Sequence, residues 1–369
     1  MFSADDHRYM ARALRLAERG LYTTDPNPRV GCVLVKDAVV VGTGWHERAG
    51  GPHAEIHALR EAGERAAGAT AYVTLEPCCH QGRTPPCTDA LIAAGVQRVV
   101  AALEDPNPQV AGNGMHLLQT AGIEVQAGLL ATGAARLNPG FVMRMRHGRP
   151  WVRCKLAMSL DGRTALASGA SRWITGRDAR RDVHRLRARS SAIMTGIGTL
   201  LADDPSLTVR LDEDAAGEIR QPLRVILDSR LRTPPQARLL DLPGETLILT
   251  GETGEREKAR FGHPRVTVVP LPLADQRLNL VAVLQHLGEM EVNEIHLEAG
   301  ATLSGALLQA GLVDELVVYM APHLLGNAAR GLFSLPGLER MEDRPELSIH
   351  DIRAVGRDWK ITANVMHRQ

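Results

Sequence analysis

No apolar run among the 369 residues approaches the roughly 20 that a membrane-spanning helix needs, so no membrane partner is expected. Net charge is nearly missing too. Lys+Arg number 43 and Asp+Glu 42, a balance of +1, so no global field draws the chain to nucleic acid or to an anionic surface. Aromatics are only 3%, few for a protein that stacks unpaired bases. Lysine is confined to positions 36, 155, 258 and 360, which reads as compositional bias toward arginine. The N-terminus MFSADDHRYMARALRLAERG has no apolar signal core, so the cytoplasm is the expected compartment. The cysteines are few and odd in number, at 32, 78, 79, 87 and 154, which argues against a disulfide framework. A G-x-G-x-x-G fingerprint is also missing, because Gly196-x-Gly198 is followed by Leu201. There is no internal repeat and no low-complexity tract.

What is present is ordinary globular composition, 44% apolar and 23% charged, in a chain long enough for two or three domains. Residues 4–19 have amphipathic helical spacing, with Ser3 as N-cap, Asp6 three residues on, and Gly20 at the close. Strands at 30–35, 39–45, 69–76, 96–103 and 122–128 alternate with helices at 53–66, 88–95 and 112–121. The segment LNPGFVMRMRHGRP (137–150) breaks that rhythm and sets a domain boundary at about 146. Strands resume at 151–160, 191–196, 223–229, 245–250, 265–271, 293–300 and 314–322, with helices near 176–188, 279–289 and 302–310. Alternation of this kind implies α/β layered domains, one over 1–145 and one over 146–369.

Three of the five cysteines fall within ten residues. His53-Ala54-Glu55 opens a predicted helix, Cys78 follows Pro77, and Cys87 stands nine residues on at a helix start. A lone H-x-E ordinarily marks a solvated helix face, and a lone Cys a small core residue. Together they supply what a zinc deaminase requires: three ligands, an open fourth position for water, and a carboxylate that shuttles protons without binding metal. The ligands are His53, Cys78 and Cys87, and the catalytic acid–base is Glu55. Cys79 and His80 are rival ligands. Adjacent residues on an extended segment point opposite ways, which argues against Cys79; His80 stays as a loop or substrate contact.

The order H-A-E, T-L-E-P-C, second Cys resembles the cytidine-deaminase-like superfamily. Its usual short form is P-C-x-x-C, whereas here eight residues separate Cys78 from Cys87. The long loop CCHQGRTPPC, preceded by PNPRVGCVLV and GWHERAGGPHAE, is similar to the pyrimidine deaminases of riboflavin biosynthesis over about residues 5–145. By that resemblance Asn27 and His46 belong to the pocket, and Gln81, Gly82, Arg83 and Thr84 contact a phosphorylated substrate.

The second half carries KLAMSLDGRTALASGASRWITG (155–176), GIGTLLADDPSLTVR (196–210), RVILDS (224–229) and HLEAGATLSGALL (296–308). These resemble the reductase domain fused to that deaminase in bacterial bifunctional enzymes, over roughly 146–366. Independently, 293–308 reads as strand, Gly-containing turn and helix. Gly300 and Gly305 would let a pyrophosphate approach the backbone, and the helix N-terminus offers free N–H groups. The resemblance implies dinucleotide contacts at Ala157, Trp173, Thr199, Asp203, Ser229, Gly300, Ala301, Thr302, Leu303, Ser304, Gly305 and Ala306. It implies substrate contacts at Ser171, Arg187, Leu207, Arg210 and Glu298. Arg187 and Arg210 suit a phosphate because a guanidinium can grip it bidentately. Lys155 is a further polar candidate in the pocket.

The fold class expected is α/β: a cytidine-deaminase-like three-layer α/β/α domain, then a dihydrofolate-reductase-like α/β domain. The expected function is that of a bifunctional riboflavin-biosynthesis enzyme. Its first half deaminates a phosphoribosylamino diaminopyrimidinone at Zn2+, and its second reduces the ribosyl chain to ribityl with NADPH. Expected partners are a small phosphorylated pyrimidine and further copies of the chain. A nucleic-acid deaminase shares the first motif, yet residues 1–145 hold 13 basic and 14 acidic residues and few aromatics. A zinc-stabilised scaffold would need a fourth protein ligand.

Overall fold

The computed structural model describes residues 1–80, 85–108, 110–211, 220–251, 254 and 259–366. The chain divides into two compact units, Met1–Gly148 and Arg149–Gln369. Among the described residues no helix is long and apolar enough to cross a membrane.

In the first unit, helix α1 (Ala4–Ala17) starts at the capping box anticipated from sequence. Asp6 N–H donates to Ser3 Oγ at 3.0 Å, and Ser3 N–H returns a bond to the Asp6 carboxylate at 2.8 Å. A five-stranded sheet follows, built from β1 (Gly31–Lys36), β2 (Val39–Trp45), β3 (Thr70–Val73), β4 (Arg98–Ala101) and β5 (Glu124–Ala127). Its order is β2-β1-β3-β4-β5. β1 is antiparallel to both neighbours, and β3, β4 and β5 are parallel. Alternation along β1 fills both faces. Cys32 and Leu34 meet Ala54 and Ala58 of α2 (Ala54–Ala62), Leu91 of α3 (Cys87–Ala93) and Leu118 of α4 (Asn113–Thr120). Val33 and Val35 meet Tyr9, Met10 and Ala13 of α1 and Ala134 of α5 (Ala131–Leu137). Helices therefore cover both sides of the sheet.

The segment 137–150, read as an irregular joint, is helical instead: α6 spans Pro139–His147. Proline sits in its first turn, where its missing N–H costs nothing, and Gly148 ends it at φ +66. These are helix-boundary residues, and the two units divide after Gly148.

The second unit holds β6 (Trp151–Ser159), β7 (Arg163–Ala165), β8 (Ala192–Gly196), β9 (Leu223–Leu227), β10 (Thr246–Thr250), β11 (Val266–Pro270), β12 (Leu273–Ala274), β13 (Arg277–Leu278), β14 (Glu294–Leu297), β15 (Glu315–Ala321), β16 (Arg330–Gly331), β17 (Glu346–Val355) and β18 (Asp358–Met366). Its helices are α7 (Arg177–Arg189), α8 (Ile197–Asp203), α9 (Arg238–Asp241), α10 (Leu280–Glu289) and α11 (Ala301–Gln309). Nine strands form one sheet in the order β11-β10-β9-β8-β14-β6-β15-β18-β17. The strands from β11 to β15 are mutually parallel; β18 and β17 are antiparallel additions. The hairpin β17–β18 was not anticipated from sequence. β17 lies at an edge with nearly every residue exposed, so no alternation of buried and exposed positions marks it.

One charged cluster is buried inside this sheet. Arg153 on β6, 2% exposed, donates to Glu294 at 3.0 Å and to Glu315, and Arg189 reaches Glu294 at 3.3 Å.

Candidate active sites

Three ligands of different chain segments converge at the start of α2. His53 is the N-cap of that helix. The helix lies hard against β2: a Cβ added at Gly44 would sit 2.2 Å from the Ala54 carbonyl oxygen. Only glycine allows this approach, which fixes the helix end that carries His53 and Glu55. Cys78 lies just beyond β3. The turn before it is pinned by the buried Glu76 carboxylate, which accepts from the amides of Asp105 (3.1 Å), Gly112 (3.0 Å) and Met115 (3.1 Å). Cys87 opens α3.

His53 Nδ1 stands 3.3 Å from Cys87 Sγ and 3.5 Å from Cys78 Sγ, and the three donor atoms lie within 4.8 Å of one another. Tetrahedral zinc with ordinary Zn–N and Zn–S bonds places N and S about 3.6 Å apart, so the donor set fits that ion. Cys79 and His80 are not in the cluster, which among the described residues holds three protein ligands. A hydrogen bond from Cys87 and a second from His53 lower the Cys78 thiol pKa against the penalty of burial. Glu55 is 3% exposed. Burial pushes its carboxyl up to about 7, offset in part by the His53 charge.

Beside this cluster His46, also buried, faces the His53 ring edge-on at 5.4 Å. Its Nδ1–H donates to the Pro52 carbonyl at 3.0 Å, so Nε2 accepts from Asn27 Nδ2 at 3.2 Å. Burial holds the ring neutral by lowering its pKa. Asn27 is thereby oriented with its carbonyl oxygen free of this bond. His80 is exposed; Gln81, Gly82, Arg83 and Thr84 lie outside the described residues.

In the second unit the parallel sheet reverses its winding between β8 and β14. From β8 the chain runs outward through β9, β10 and β11, then returns to place β14 on the other side of β8. Ligands of open α/β sheets bind outside the strand ends at such a switch point. Thr199, on α8 after β8, and Gly300, Ala301, Thr302 and Leu303, at the head of α11 after β14, converge there. The first intrahelical bond of α11 is Ser304 N–H to the Gly300 carbonyl, so the preceding amides are offered to a ligand, and nothing lies within 4 Å of a Cβ at Gly300. A dinucleotide pyrophosphate fits this edge. Ala157 is half-buried on β6, the strand beyond β14.

The remaining cofactor residues fall differently. Trp173 is 69% exposed, with the Arg180 guanidinium 4.6 Å over its ring. Asp203 ends α8 and receives Arg172, at 2.9 Å on its backbone oxygen. Ser229 Oγ accepts from Leu278 N–H at 3.1 Å. Gly305 and Ser304 lie deeper in the helix. Both are buried, and a Cβ at Gly305 would meet the Ser334 carbonyl at 2.0 Å. One close approach that requires glycine at 305 is therefore to the protein's own backbone. Ala306 is half-buried one position on.

The substrate candidates also divide. Arg187 Nε and Nη2 meet the two oxygens of Glu298 at 2.5 and 2.9 Å, and Nη1 donates to the Thr208 carbonyl at 2.9 Å. The fork expected to grip a phosphate is thus engaged within the protein. His296 Nε2 stands 3.3 Å from Glu298 Oε1. Lys155 occupies the neighbouring rung of β6, where burial lowers its pKa against the pull of Glu298. Leu207 is 3% exposed and packs in the core with Ile193 and Leu200, so only its backbone is left for a ligand. Arg210 is exposed. Ser171 is half-buried, and no contact among the described residues ties it to this cluster. Sequence reasoning missed His184, whose Nδ1 accepts from Arg210 N–H at 3.2 Å. The signal was its spacing, three residues before Arg187 on one helix face.

Residues 150–361 match the family described as the RibD C-terminal domain, and residues 3–103 match the cytidine and deoxycytidylate deaminase zinc-binding region. The riboflavin biosynthesis protein RibD of Escherichia coli is 56% identical over 361 residues, covering 96% of this chain and 97% of that protein. The RibD of Haemophilus influenzae is 50% identical over 369 residues, 98% of each. Among solved structures, Acinetobacter baumannii RibD in form 1 superposes with a TM-score of 0.91 at 46% identity, over 98% of this chain and 99% of that one. A Thermotoga maritima diaminohydroxyphosphoribosylaminopyrimidine deaminase/5-amino-6-(5-phosphoribosylamino)uracil reductase superposes at 0.85 with 32% identity, over 98% and 99%.

Proposed function

This chain belongs to the RibD family of riboflavin biosynthesis proteins, and we propose that residues 1–145 carry its deaminase and residues 146–369 its reductase. It is a bifunctional enzyme, a zinc-dependent deaminase and an NADPH-dependent reductase. It removes an amino group from 2,5-diamino-6-(5-phosphoribosylamino)pyrimidin-4(3H)-one by hydrolysis, then reduces the ribosyl chain to ribityl. The observation that carries the site assignment is the His53–Cys78–Cys87 cluster with a buried Glu55 in the same helical turn.

His53, Cys78 and Cys87 would hold the metal. Zinc acidifies water and thereby supplies a nucleophile at neutral pH. Glu55, buried in the same helical turn, would hold a proton at a carboxylate oxygen and pass it to the departing amino nitrogen. Asn27, aligned by the neutral His46, holds the pyrimidine ring. In the reductase, the stretch Gly300 to Ala306 and Thr199 would hold the dinucleotide. NADPH supplies the hydride, which no side chain can do. Lys155 Nζ, beside Glu298, holds a proton next to the group being reduced, and Arg210 contacts the substrate phosphate.

Two assays test this reading together. Substrate incubated without NADPH shows exchange of an amino group for oxygen by mass analysis; the gain of two hydrogens appears only with NADPH. Arg210→Ala keeps the first change and slows the second about ten- to 150-fold in efficiency, the worth of one hydrogen bond to a charged group. An equal fall in both reactions contradicts the division of labour.

The chain is a homo-oligomer in this reading. On one face of the edge hairpin Leu347, Ile349 and Ile352 lie opposite Val365, Ala363 and Ile361. Leu347, Ile349, Ile352 and Trp359 are each 46–56% exposed, an apolar stripe that a second copy would cover. Light scattering of the purified chain reads this directly, and a monomer at micromolar concentration overturns it. A cytoplasmic location is part of this reading, supported by metal-binding thiols that a reducing compartment keeps reduced; cell fractionation tests it.

A further inference from the structure

Residues 208–210 belong to no strand, yet side chains hold the backbone of each. The Thr208 carbonyl accepts from Arg187 Nη1 at 2.9 Å. Val209 N–H donates to Gln221 Oε1 at 2.9 Å, and Gln221 Nε2 donates back to the Val209 carbonyl at 3.2 Å. Arg210 N–H donates to His184 Nδ1 at 3.2 Å. His184 and Arg187 project from one face of α7, one turn apart, so the helix and Gln221 clasp the segment from two sides.

We propose that His184 is a positioning residue of the reductase, which fixes the backbone of Arg210 and so aims its guanidinium at the phosphate of the substrate. This rests on the assignment of Arg210 to that phosphate. The Arg210 side chain is exposed, and among the described residues it has no hydrogen-bond partner. A long unpaired side chain is placed only as well as its Cα is. Arg187, by contrast, already gives three of its five N–H groups to Glu298 and Thr208.

Accepting the Arg210 amide requires a lone pair on Nδ1, hence a neutral imidazole protonated on Nε2. The surroundings enforce that state. Burial and the charges of Arg187 and Arg210 bring His184 down to about 4, outweighing Glu298 and a bond to the Thr208 backbone. The imidazole thus serves as an acceptor that adds no further positive charge to the group.

The test measures the reductase reaction at saturating NADPH on 5-amino-6-(5-phosphoribosylamino)uracil and on its dephosphorylated counterpart. His184→Ala leaves the Arg210 amide without its partner. The KM for the phosphorylated substrate is expected to rise about tenfold, with kcat within about twofold, as for binding that is equal in ground and transition states. The dephosphorylated substrate should be unaffected, as should the KM for NADPH and the deamination rate, which also report that the variant folds. His184→Asn, whose Oδ1 can accept from the same amide, should restore the KM to within about threefold. Equal losses on the two substrates, or an Asn variant no better than Ala, overturns the proposal. Arg210→Ala is measured alongside. If it keeps the preference for the phosphorylated substrate, the assignment of Arg210 fails and this inference with it. If it abolishes the preference while His184→Ala does not, only the inference fails.

Discussion

Glu55→Gln is expected to keep zinc and to lose deamination by about 10²–10⁴-fold, the usual worth of a positioned acid–base group. Glutamine preserves the shape of the buried side chain but cannot take a proton from water and return it to the leaving nitrogen. Because His53, Cys78 and Cys87 form the cluster that could hold the metal and Glu55 is outside it, metal content measured on the purified variant should stay at one zinc per chain. The reduction of supplied deaminated substrate should proceed at its normal rate. A deamination loss smaller than about tenfold would place the acid–base role elsewhere. Loss of the metal would mean that Glu55 serves the ligand cluster rather than the proton.

Arg153→Ala should destabilise the reductase unit by about 3–5 kcal/mol, the cost of breaking a buried ion pair from one side. The substitution leaves Glu294 and Glu315 facing a cavity in the middle of a parallel sheet, with Arg189 remaining as a cation for Glu294. Chemical denaturation of the variant, followed through loss of reductase activity, reads the effect. The triple replacement Arg153→Met, Glu294→Leu and Glu315→Leu is expected to recover most of the loss, since packed apolar groups replace buried charges at little net cost. A single variant as stable as the parent would show that water or rearrangement solvates the two carboxylates. A triple variant no better than the single one would show that the cluster contributes stability of its own.

Where chemistry is encoded in neighbouring residues, the sequence could be read. The ligand set of the first site depends on residue type and on short spacings: His53 before a helix, Cys78 after a strand, Cys87 at a helix start. The sheet and the helix ends that bring them together follow from hydrophobic alternation and capping, as at Ser3 and Asp6. The signal failed where its physical basis was missing. An edge strand such as β17 buries neither face and so has no alternation to show. Pro139 and Gly148 are both helix-boundary and joint residues, and composition alone could not separate the two uses.

The sequence alone determined the two-part α/β organisation and the residue types of the deaminase cluster. The tertiary structure alone decided which charged and polar groups are free to act. Seven arginines stand between 172 and 189. Which of them meets a ligand depends on partners far along the chain: Arg187 is taken by Glu298, and Arg172 by Asp203. Likewise Gly305 is glycine because Ser334 lies against it, and the Arg210 amide meets His184, far back along the chain. The physical reason is the same in each case. A hydrogen bond or ion pair is set by distance and angle between two groups, and for residues more than a few positions apart only the folded chain fixes those quantities.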